Sequence, residues 1–249
     1  MTNTEMFEQA FANGMTAIVY DIETSPVRVW LYQMHDTSVP YTSIDKDTKI
    51  TSVAWMFQGD KQVSSAEWGV KQDDRKLLRK ITKLINKADL VIGQNINSFD
   101  TKIVQWRNNL QRLPLVSRDI TSVDILTLSR RVQRPTSHKL GYRSEAYGLK
   151  GKIPQDMRDC IAVANGDRKA QARRIEYNKK DVLDTQASFW RELDLYPLSV
   201  KVKKVLEKFI TIKEFCKHCK KYKHQAYDLT IKGMVRQCNN CRRLWKVKK

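Results

Sequence analysis

The chain of 249 residues lacks any apolar run long enough to cross a membrane as a helix. Its first fifteen residues carry two glutamates and lack both a basic start and an apolar core, so we do not expect them to be a secretory signal. Internal repeats and low-complexity segments are also absent. Because 41% of the residues are hydrophobic, enough apolar side chains are present for a real core. We therefore expect a globular cytoplasmic protein with no membrane partner.

Acidic residues are scarce, above all near the C-terminus. Residues 201–249 contain 16 basic and 3 acidic residues, a charge of +13, whereas residues 1–200 contain 30 and 24, a charge of +6. A basic tail on a nearly balanced body favours a polyanionic partner such as nucleic acid. Charge that serves only solubility is the plainer alternative. An anionic membrane is a weaker one, because the tail has no long apolar helical face.

Cysteine is nearly absent before the tail. Four of the five cysteines form two close pairs separated by 18 residues, namely Cys216, Cys219, Cys238 and Cys241. This spacing is typical of a tetrahedral zinc site with four thiolates. Two disulfides are the alternative, but nothing in the sequence indicates an oxidising compartment. His218 and His224 could also bind zinc, but the four cysteines already fill its four coordination positions. Cys160 fits a core position on a helix.

Runs rich in β-branched and aromatic residues follow Thr16 and predict strands. They read AIVYDIE, VRVWLYQ, KITSVAWMFQ, QVSSAEW and LVIG. Residues 73–88 have the apolar spacing of an amphipathic helix, a second helix is expected from about Phe99, and the region from about 140 to 195 is mainly helical. Thr2 and Glu5 fit a capping box that begins a short leading helix. The pattern predicts an α/β domain around a mixed sheet.

The composition changes after Pro197, and it predicts three parts. Residues 1–197 form the α/β domain, residues 198–212 a basic linker helix, and residues 213–249 a small zinc module. The linker helix is expected to turn four residues towards an apolar surface, namely Val202, Val205, Leu206 and Phe209.

Carboxylates recur at spacings that bring them together. Asp21 and Glu23 lie two residues apart on a predicted strand, so both project from one face. Asp100 follows another strand, in a loop position where functional groups are common. Tyr177 and Asp181 lie four residues apart on one side of a helix. Each element alone fits a plainer role, such as a polar strand end, a helix N-cap or a solvated helix face.

Four carboxylates that converge across a fold repel one another unless cations bind between them. Two Mg²⁺ or Mn²⁺ ions about 4 Å apart satisfy such a cluster, and this pair of metals is the device that cleaves phosphodiester bonds. The basic tail would attract an anionic substrate from a distance, and the metals would hold it at the site.

In order along the chain, DIET, GQNINSFD and YNKKDV resemble the three motifs of DnaQ-like 3′→5′ exonucleases in their tyrosine-containing DEDD branch. The chain is more closely similar to YprB-type ribonuclease H-like nucleases of phages and bacteria, over nearly its whole length. The resemblance implies a ribonuclease H-like mixed sheet flanked by helices, followed by a zinc ribbon with four cysteine ligands. For a phage protein, the compartment is the cytoplasm of the bacterial host.

The resemblance also implies roles for individual residues. The metal ligands would be four carboxylates, namely Asp21, Glu23, Asp100 and Asp181. Tyr177 would orient the attacking water, because position 176 is glutamate where the other branch has histidine. Thr24, Asn95 and Phe99 would contact or shape the pocket of the terminal nucleotide. Gln94 departs from the commoner histidine, and the zinc knuckles lack the usual proline and glycine. Asp184 has no counterpart in the motif and is expected to be a salt-bridged or solvated carboxylate.

The leading hypothesis is a metal-dependent 3′→5′ exonuclease acting on single-stranded DNA. RNA trimming, structure-selective cleavage and a non-catalytic adaptor of a replication or repair complex are the alternatives. Basic and aromatic residues of the ribbon are expected to contact nucleic acid, among them Lys220, Lys221, Arg242, Arg243 and Trp245. A purely structural module or a docking surface for a replication or repair protein competes with that role. The chain has no polymerase or helicase region, so we expect any proofreading to act in trans.

Overall fold

The computed structural model describes residues 1–33, 38–149, 153 and 156–210, and beyond them the backbone of short strands. The helices are Asn3–Ala12 (α1), Arg75–Ile85 (α2), Asp100–Leu110 (α3), Ile125–Val132 (α4), Leu140–Ala146 (α5), Met157–Ala164 (α6), Arg168–Glu192 (α7) and Val200–Phe209 (α8). The strands up to residue 210 are Ala17–Thr24 (β1), Arg28–Val29 (β2), Ile44–Lys46 (β3), Ile50–Phe57 (β4), Ser64–Glu67 (β5), Leu90–Gly93 (β6) and Ser122–Asp124 (β7).

A five-stranded mixed sheet organises these elements in the order β5-β4-β1-β6-β7. Strand β1 pairs antiparallel with β4 and parallel with β6, and β6 pairs parallel with β7. The carboxyl ends of β1, β6 and β7 therefore lie at the same edge of the sheet. The α/β class predicted from the sequence, a mixed sheet flanked by helices, is confirmed.

The two faces of the sheet follow the alternation of β1. Ala17 and Val19 face a core layer that contains Val182 and Phe189 of α7. Ile18, Tyr20 and Ile22 face the other layer, whose members include the buried side of α2. Because successive side chains of a strand point to opposite faces, the odd-numbered residues of β1 project towards α7.

Local sequence signals account for several helix ends. The Thr2 side chain accepts a hydrogen bond from Glu5 N and the Glu5 carboxylate accepts one from Thr2 N, which confirms the predicted capping box. At α4 and α7 a side chain caps the helix without the reciprocal bond, since the carboxylates of Asp124 and Asp167 accept hydrogen bonds from backbone N–H groups of the first turn. Helix α2 buries Leu77, as its periodicity predicts. None of the helices in the described residues is both long and apolar enough to cross a membrane.

Helices α1 and α8 pack together at one side of the domain. Phe7 of α1 meets Phe189 of α7 edge to face, with ring centroids 5.3 Å apart. The Asn3 amide donates to the carbonyl oxygens of Leu193 and Tyr196, and Asn13 Nδ2 donates to the carbonyl oxygen of Phe209. Helix α8 buries the apolar side that the sequence predicts, namely Val202, Val205 and Leu206, with Phe209 partly buried. The boundary between a first domain and a linker helix stays a prediction.

One predicted strand is largely wrong. Within VRVWLYQ only β2 is extended, and it pairs with β3 in a separate two-stranded hairpin, outside the main sheet. Both sides of β1 are already occupied by β4 and β6, so no edge of that strand is left for this segment. Its apolar side chains Trp30, Leu31 and Tyr32 are exposed.

Beyond residue 210 the described backbone consists of paired strands. They are Glu214–Phe215 (β8), Tyr222–Lys223 (β9), Gln225–Thr230 (β10), Gly233–Cys238 (β11) and Leu244–Lys246 (β12). Strands β8 and β9 form one antiparallel pair, and β10, β11 and β12 form a three-stranded antiparallel sheet. The predicted zinc thiolates and basic contact residues of this region lie outside the described side chains.

Gly93 ends β6 where the chain turns sharply. A Cβ added there would lie 2.5 Å from Ile96 Cδ1 and 2.7 Å from Ile96 Cβ, and Ile96 is buried. We expect Gly93→Ala to lower the free energy of unfolding by about 1–3 kcal/mol through overpacking. Gly69→Ala is the matched control, because its added Cβ meets nothing within 4 Å. Urea denaturation measures both, and equal stability of the two variants would contradict the close approach at Gly93.

Candidate active site

Strand β1 delivers the first two carboxylates. Asp21 and Glu23 are odd-numbered, so both project towards α7, as the i, i+2 spacing predicts. The pairing of β1 with β4 shifts register between Glu23 and Thr24, so β4 carries an extra residue, Thr51, at this point. The Thr51 hydroxyl donates to the Glu23 carbonyl oxygen. Such a bulge bends the strand end and re-aims the side chains beside it.

Asp100 begins α3, in the segment that follows β6. Its Oδ1 accepts a hydrogen bond of 3.0 Å from the backbone N–H of Ile22, the residue between Asp21 and Glu23. The carboxylate is therefore fixed directly against β1 although 78 residues separate the two partners along the chain. Asp100 is buried, and it lies at the sheet edge where the parallel strands end.

Helix α7 supplies the remaining predicted residues from the opposite side. The Tyr177 hydroxyl donates to the Asp181 carboxylate one turn later. Asn178, which is buried, donates from Nδ2 to Asp21 Oδ2 at 2.6 Å and so ties the helix to the strand. The stripe expected from the i, i+4 spacing thus faces β1.

The structure brings three of the four predicted carboxylates within reach of one cation. One oxygen each from Asp21, Glu23 and Asp181 lies within 4.8 Å of the others. Asp100 is outside that group of three. It lies next to the group, because it accepts the hydrogen bond from Ile22, and its charge raises the pKa of Asp21.

Burial and mutual repulsion disfavour the charged forms of these acids. Burial raises the pKa of both Glu23 and Asp100 to about 7, and that of Asp181 to about 6. The pKa of Asp21 lies well above its usual range, first through burial and then through the charges of Asp100, Glu23 and Asp181. Burial and the neighbouring Asp181 also raise the pKa of Tyr177. The phenol therefore stays protonated at neutral pH.

Arg174 is a buried residue of the site that the motifs do not mark. Its Nη2 donates to Glu23 Oε2, and its Cζ lies 5.7 Å from the centre of the Tyr177 ring. The guanidinium charge acts against the pKa rise that burial imposes on Glu23. A signal for it exists in the sequence, because Arg174 lies three residues before Tyr177 and seven before Asp181, on the same stripe of α7.

Asp124 is a second such residue, and it organises the loop between β6 and α3. Its carboxylate accepts hydrogen bonds from Asn95 N at 3.0 Å and from Asn97 N at 3.2 Å. Asn95 adopts a positive φ of 60°, so the loop turns in a conformation that few residue types adopt readily. No local spacing in the sequence relates Asp124 to this loop, because 29 and 27 residues separate it from Asn95 and Asn97.

Other predicted residues have plainer surroundings. Phe99 is 42% exposed at the start of α3, and Thr24 is partly buried at the end of β1. Gln94 bridges two elements, since its Nε2 donates to the His138 carbonyl oxygen and its Oε1 accepts from Arg143. Asp184 pairs with Lys180, Nζ to Oδ1, at 2.5 Å, which is the salt-bridged role expected for it.

The residues of this cluster suit a divalent cation. Carboxylate oxygens are the ligands that Mg²⁺ and Mn²⁺ prefer, and a cation would relieve the repulsion that raises these pKa values. The oxygens of Asp21, Glu23 and Asp181 already lie close enough for shared coordination.

Comparisons with known proteins find a similar fold among solved structures. No family model matches the chain, and no curated protein matches it. The chain is similar to the solved family B DNA polymerase from the hyperthermophilic archaeon Pyrobaculum calidifontis, with a TM-score of 0.57 and 17% identity. The match covers 72% of this chain and 24% of the polymerase chain, so this chain spans about a quarter of that protein. A likeness at this identity, shared among 247 matching solved chains, shows a common fold alone.

The raised pKa values predict that the acidic cluster destabilises the metal-free protein at neutral and higher pH. The folded protein holds protons on these acids that the unfolded chain, with carboxyl pKa values near 4, has already released. The contribution to stability therefore falls as pH rises from about 5 to about 8. We expect Asp21→Asn in EDTA to be more stable than wild type by about 1 kcal/mol or more at pH 8, and by less at pH 5.

Urea denaturation in EDTA at both pH values measures the effect. Asp159→Asn is the matched control, because it removes a carboxylate that is paired with Arg173 outside the acidic cluster, and it should gain no stability. Added Mn²⁺ should stabilise wild type more than Asp21→Asn. An Asp21→Asn protein that is less stable than wild type at both pH values would show that the carboxylates do not repel one another as described.

Proposed function

We propose that this protein is a metal-dependent nuclease that removes nucleotides from the 3′ ends of nucleic acid, with single-stranded DNA as the preferred substrate. One observation carries the proposal. Asp21 and Glu23 from β1 and Asp181 from α7 converge within the reach of one cation, with Asp100 fixed beside them. A buried cluster of carboxylates without a counter-ion destabilises the fold. A cluster that binds a catalytic cation would explain why these acids are present.

The chain's own residues divide the work between ligand and positioning roles. Asp21, Glu23, Asp100 and Asp181 would hold two Mg²⁺ or Mn²⁺ ions. Such ions, when bound, neutralise phosphate charge and make water a stronger nucleophile. Tyr177, whose raised pKa keeps its proton at neutral pH, is suited to orient the water by hydrogen bonding. Asn178 holds Asp21 and the loop fixed by Asp124 holds Asp100, so the ligands keep their positions.

The position of the site at the end of β1 supports a role for its neighbours in substrate binding. Thr24 follows Glu23 directly, and the exposed ring of Phe99 stands beside Asp100. An aromatic face of this kind can stack on a terminal base. Asn95 shapes the same loop through its positive φ. The shared fold with part of a DNA polymerase is in keeping with DNA as the substrate.

For the tail we propose one zinc ion held by the four cysteine thiolates. Strands β8 and β9 pair antiparallel on either side of residues 216–221, and β11 and β12 pair on either side of residues 239–243. A cysteine pair beside each hairpin is the arrangement from which a zinc ribbon is built. The excess of basic residues there supports nucleic acid as the ligand of the ribbon, and a replication or repair protein is the competing partner.

Digestion of 5′-labelled single-stranded DNA and RNA with Mg²⁺ or Mn²⁺ tests the proposal. Wild type should yield a ladder of shortening products that keep the 5′ label, and DNA should be cleaved faster than RNA. Asp181→Ala should lose about 100-fold or more in rate, because a metal ligand is removed. Asp184→Ala should retain most activity, because its carboxylate pairs with Lys180.

The outcomes separate the alternatives. Internal cuts in circular DNA would indicate an endonuclease, and faster cleavage of RNA would reverse the substrate preference. If wild type cleaves neither DNA nor RNA with either metal, the protein is not the nuclease proposed. A reversed result for Asp181→Ala and Asp184→Ala would place the wrong face of α7 at the site.

A further inference from the structure

Arg174 occupies a position that a metal site does not normally give to a cation. Its side chain is buried among the carboxylates, and its Nη2 donates to the same Glu23 side chain that would bind a metal. Its charge opposes the pKa rise of both Glu23 and Asp181. The guanidinium thus neutralises part of the charge that a divalent cation would otherwise neutralise.

We propose that Arg174 is a positioning residue that serves as the internal counter-ion of the metal-free site and competes with a divalent cation for Glu23. This inference rests on the proposed function for the identity of the metal, and on the ion pair for the competition. An Arg⁺ paired with Glu23 keeps a buried carboxylate compensated while no metal is bound. The same charge repels an arriving cation, so Arg174 weakens metal binding while it stabilises the metal-free fold.

The Arg174–Glu23 ion pair also couples metal binding to substrate binding. Arg174 is also one of the residues that line a cavity of about 330 Å³, together with Arg173, Glu176 and Tyr177. A substrate phosphate, like a carboxylate, can accept two parallel hydrogen bonds from a guanidinium. Substrate that draws Arg174 away from Glu23 therefore favours metal binding, and by linkage metal favours substrate.

Isothermal titration of the purified protein with Mn²⁺ tests the competition without any reliance on cleavage. Arg174→Gln should bind Mn²⁺ about tenfold or more tightly than wild type, because a repelling charge is gone. Its metal-free form should be less stable in EDTA, because Glu23 loses its partner, and Mn²⁺ should restore the lost stability. Arg174→Lys, which keeps the charge, should bind Mn²⁺ with an affinity close to that of wild type.

Arg173→Gln is the matched control. It removes the same charge from the neighbouring position, where Arg173 pairs with Asp159 at the exposed surface, and it should leave Mn²⁺ affinity unchanged. Mn²⁺ binding by Arg174→Gln that equals or falls below wild type would overturn the proposal, as would failure of this variant to fold even with Mn²⁺. If Arg174→Gln binds Mn²⁺ more tightly and wild type cleaves no substrate, the role of Arg174 is upheld and the nuclease function is rejected.

A second inference comes from the β2–β3 hairpin, whose first strand begins four residues after Thr24 ends β1. Ser25, two residues after Glu23, lines a cavity of about 750 Å³ that reaches from the end of β1 to α6. Basic side chains also line this cavity, namely Arg28, Lys46, Lys49 and Lys71. Two acidic residues, Asp45 and Asp47, are among its other lining residues, and Arg28 pairs with Asp45.

The hairpin region also exposes aromatic rings. Trp30 is 70% exposed, with Arg28 Cζ 6.0 Å from its ring centre, and Tyr32 and Tyr41 are exposed as well. Exposed rings beside lysines are the features that bind single-stranded nucleic acid, since bases stack on the rings and phosphates meet the cations. The geometry points to this cavity and hairpin as the track of a single strand whose end lies at the acidic cluster. This inference also rests on the proposed function.

Binding in EDTA, where metal-dependent cleavage cannot contribute, tests the track. The double variant Trp30→Ala, Tyr32→Ala should bind labelled single-stranded DNA of about 16 nucleotides at least tenfold more weakly than wild type. Trp106→Ala, which removes an exposed ring from α3 and leaves the hairpin intact, should bind as wild type does. Unchanged binding by the double variant would overturn the track, whereas weaker binding by a protein without nuclease activity would uphold it.

Discussion

The crossing of α7 over β1 is the constraint on which the site depends. Strand β1 lies in the middle of the sheet, and its odd-numbered residues meet α7, where Val19 packs into the apolar layer. The same alternation places Asp21 and Glu23 beneath the helix instead of in water. Burial then raises their pKa values, and Arg174 and Asn178 on the polar side of α7 donate hydrogen bonds to Glu23 and Asp21. The same contact between β1 and α7 therefore forms both the apolar layer and the acidic cluster.

The site also shows how a fold tolerates an unfavourable cluster. Each acid has a polar contact. Helix α7 supplies three of them, Asn178 on Asp21, Arg174 on Glu23 and Tyr177 on Asp181, and β1 supplies the Ile22 N–H on Asp100. These contacts compensate only part of the burial, since the pKa values of Glu23 and Asp100 remain near 7. The remaining strain persists because the sheet and α7 are held together elsewhere, by buried side chains such as Phe189.

Much of this arrangement follows from local patterns in the sequence. Period-two spacing places Asp21 and Glu23 on one face, and period-four spacing places Tyr177 and Asp181 on one stripe. The partners of those residues do not follow, because Arg174 and Glu23 are 151 residues apart and no local spacing relates them. The strand predicted for VRVWLYQ is largely wrong for a similar reason. Strand propensity is local, whereas a place in the sheet depends on which neighbours have already paired with β1.

The contacts of α1 have a kinetic consequence. Asn3 bonds to carbonyl groups 190 and 193 residues further along the chain, and Asn13 to one 196 residues away. Synthesis of that length takes roughly 10–40 s at 5–20 residues per second. During this interval the apolar side of α1, with Phe7 and Phe11, has no partner on α7 or α8. Helix α1 therefore completes these contacts only after α7 and α8 have been synthesised, and until then its apolar side is exposed on the nascent chain.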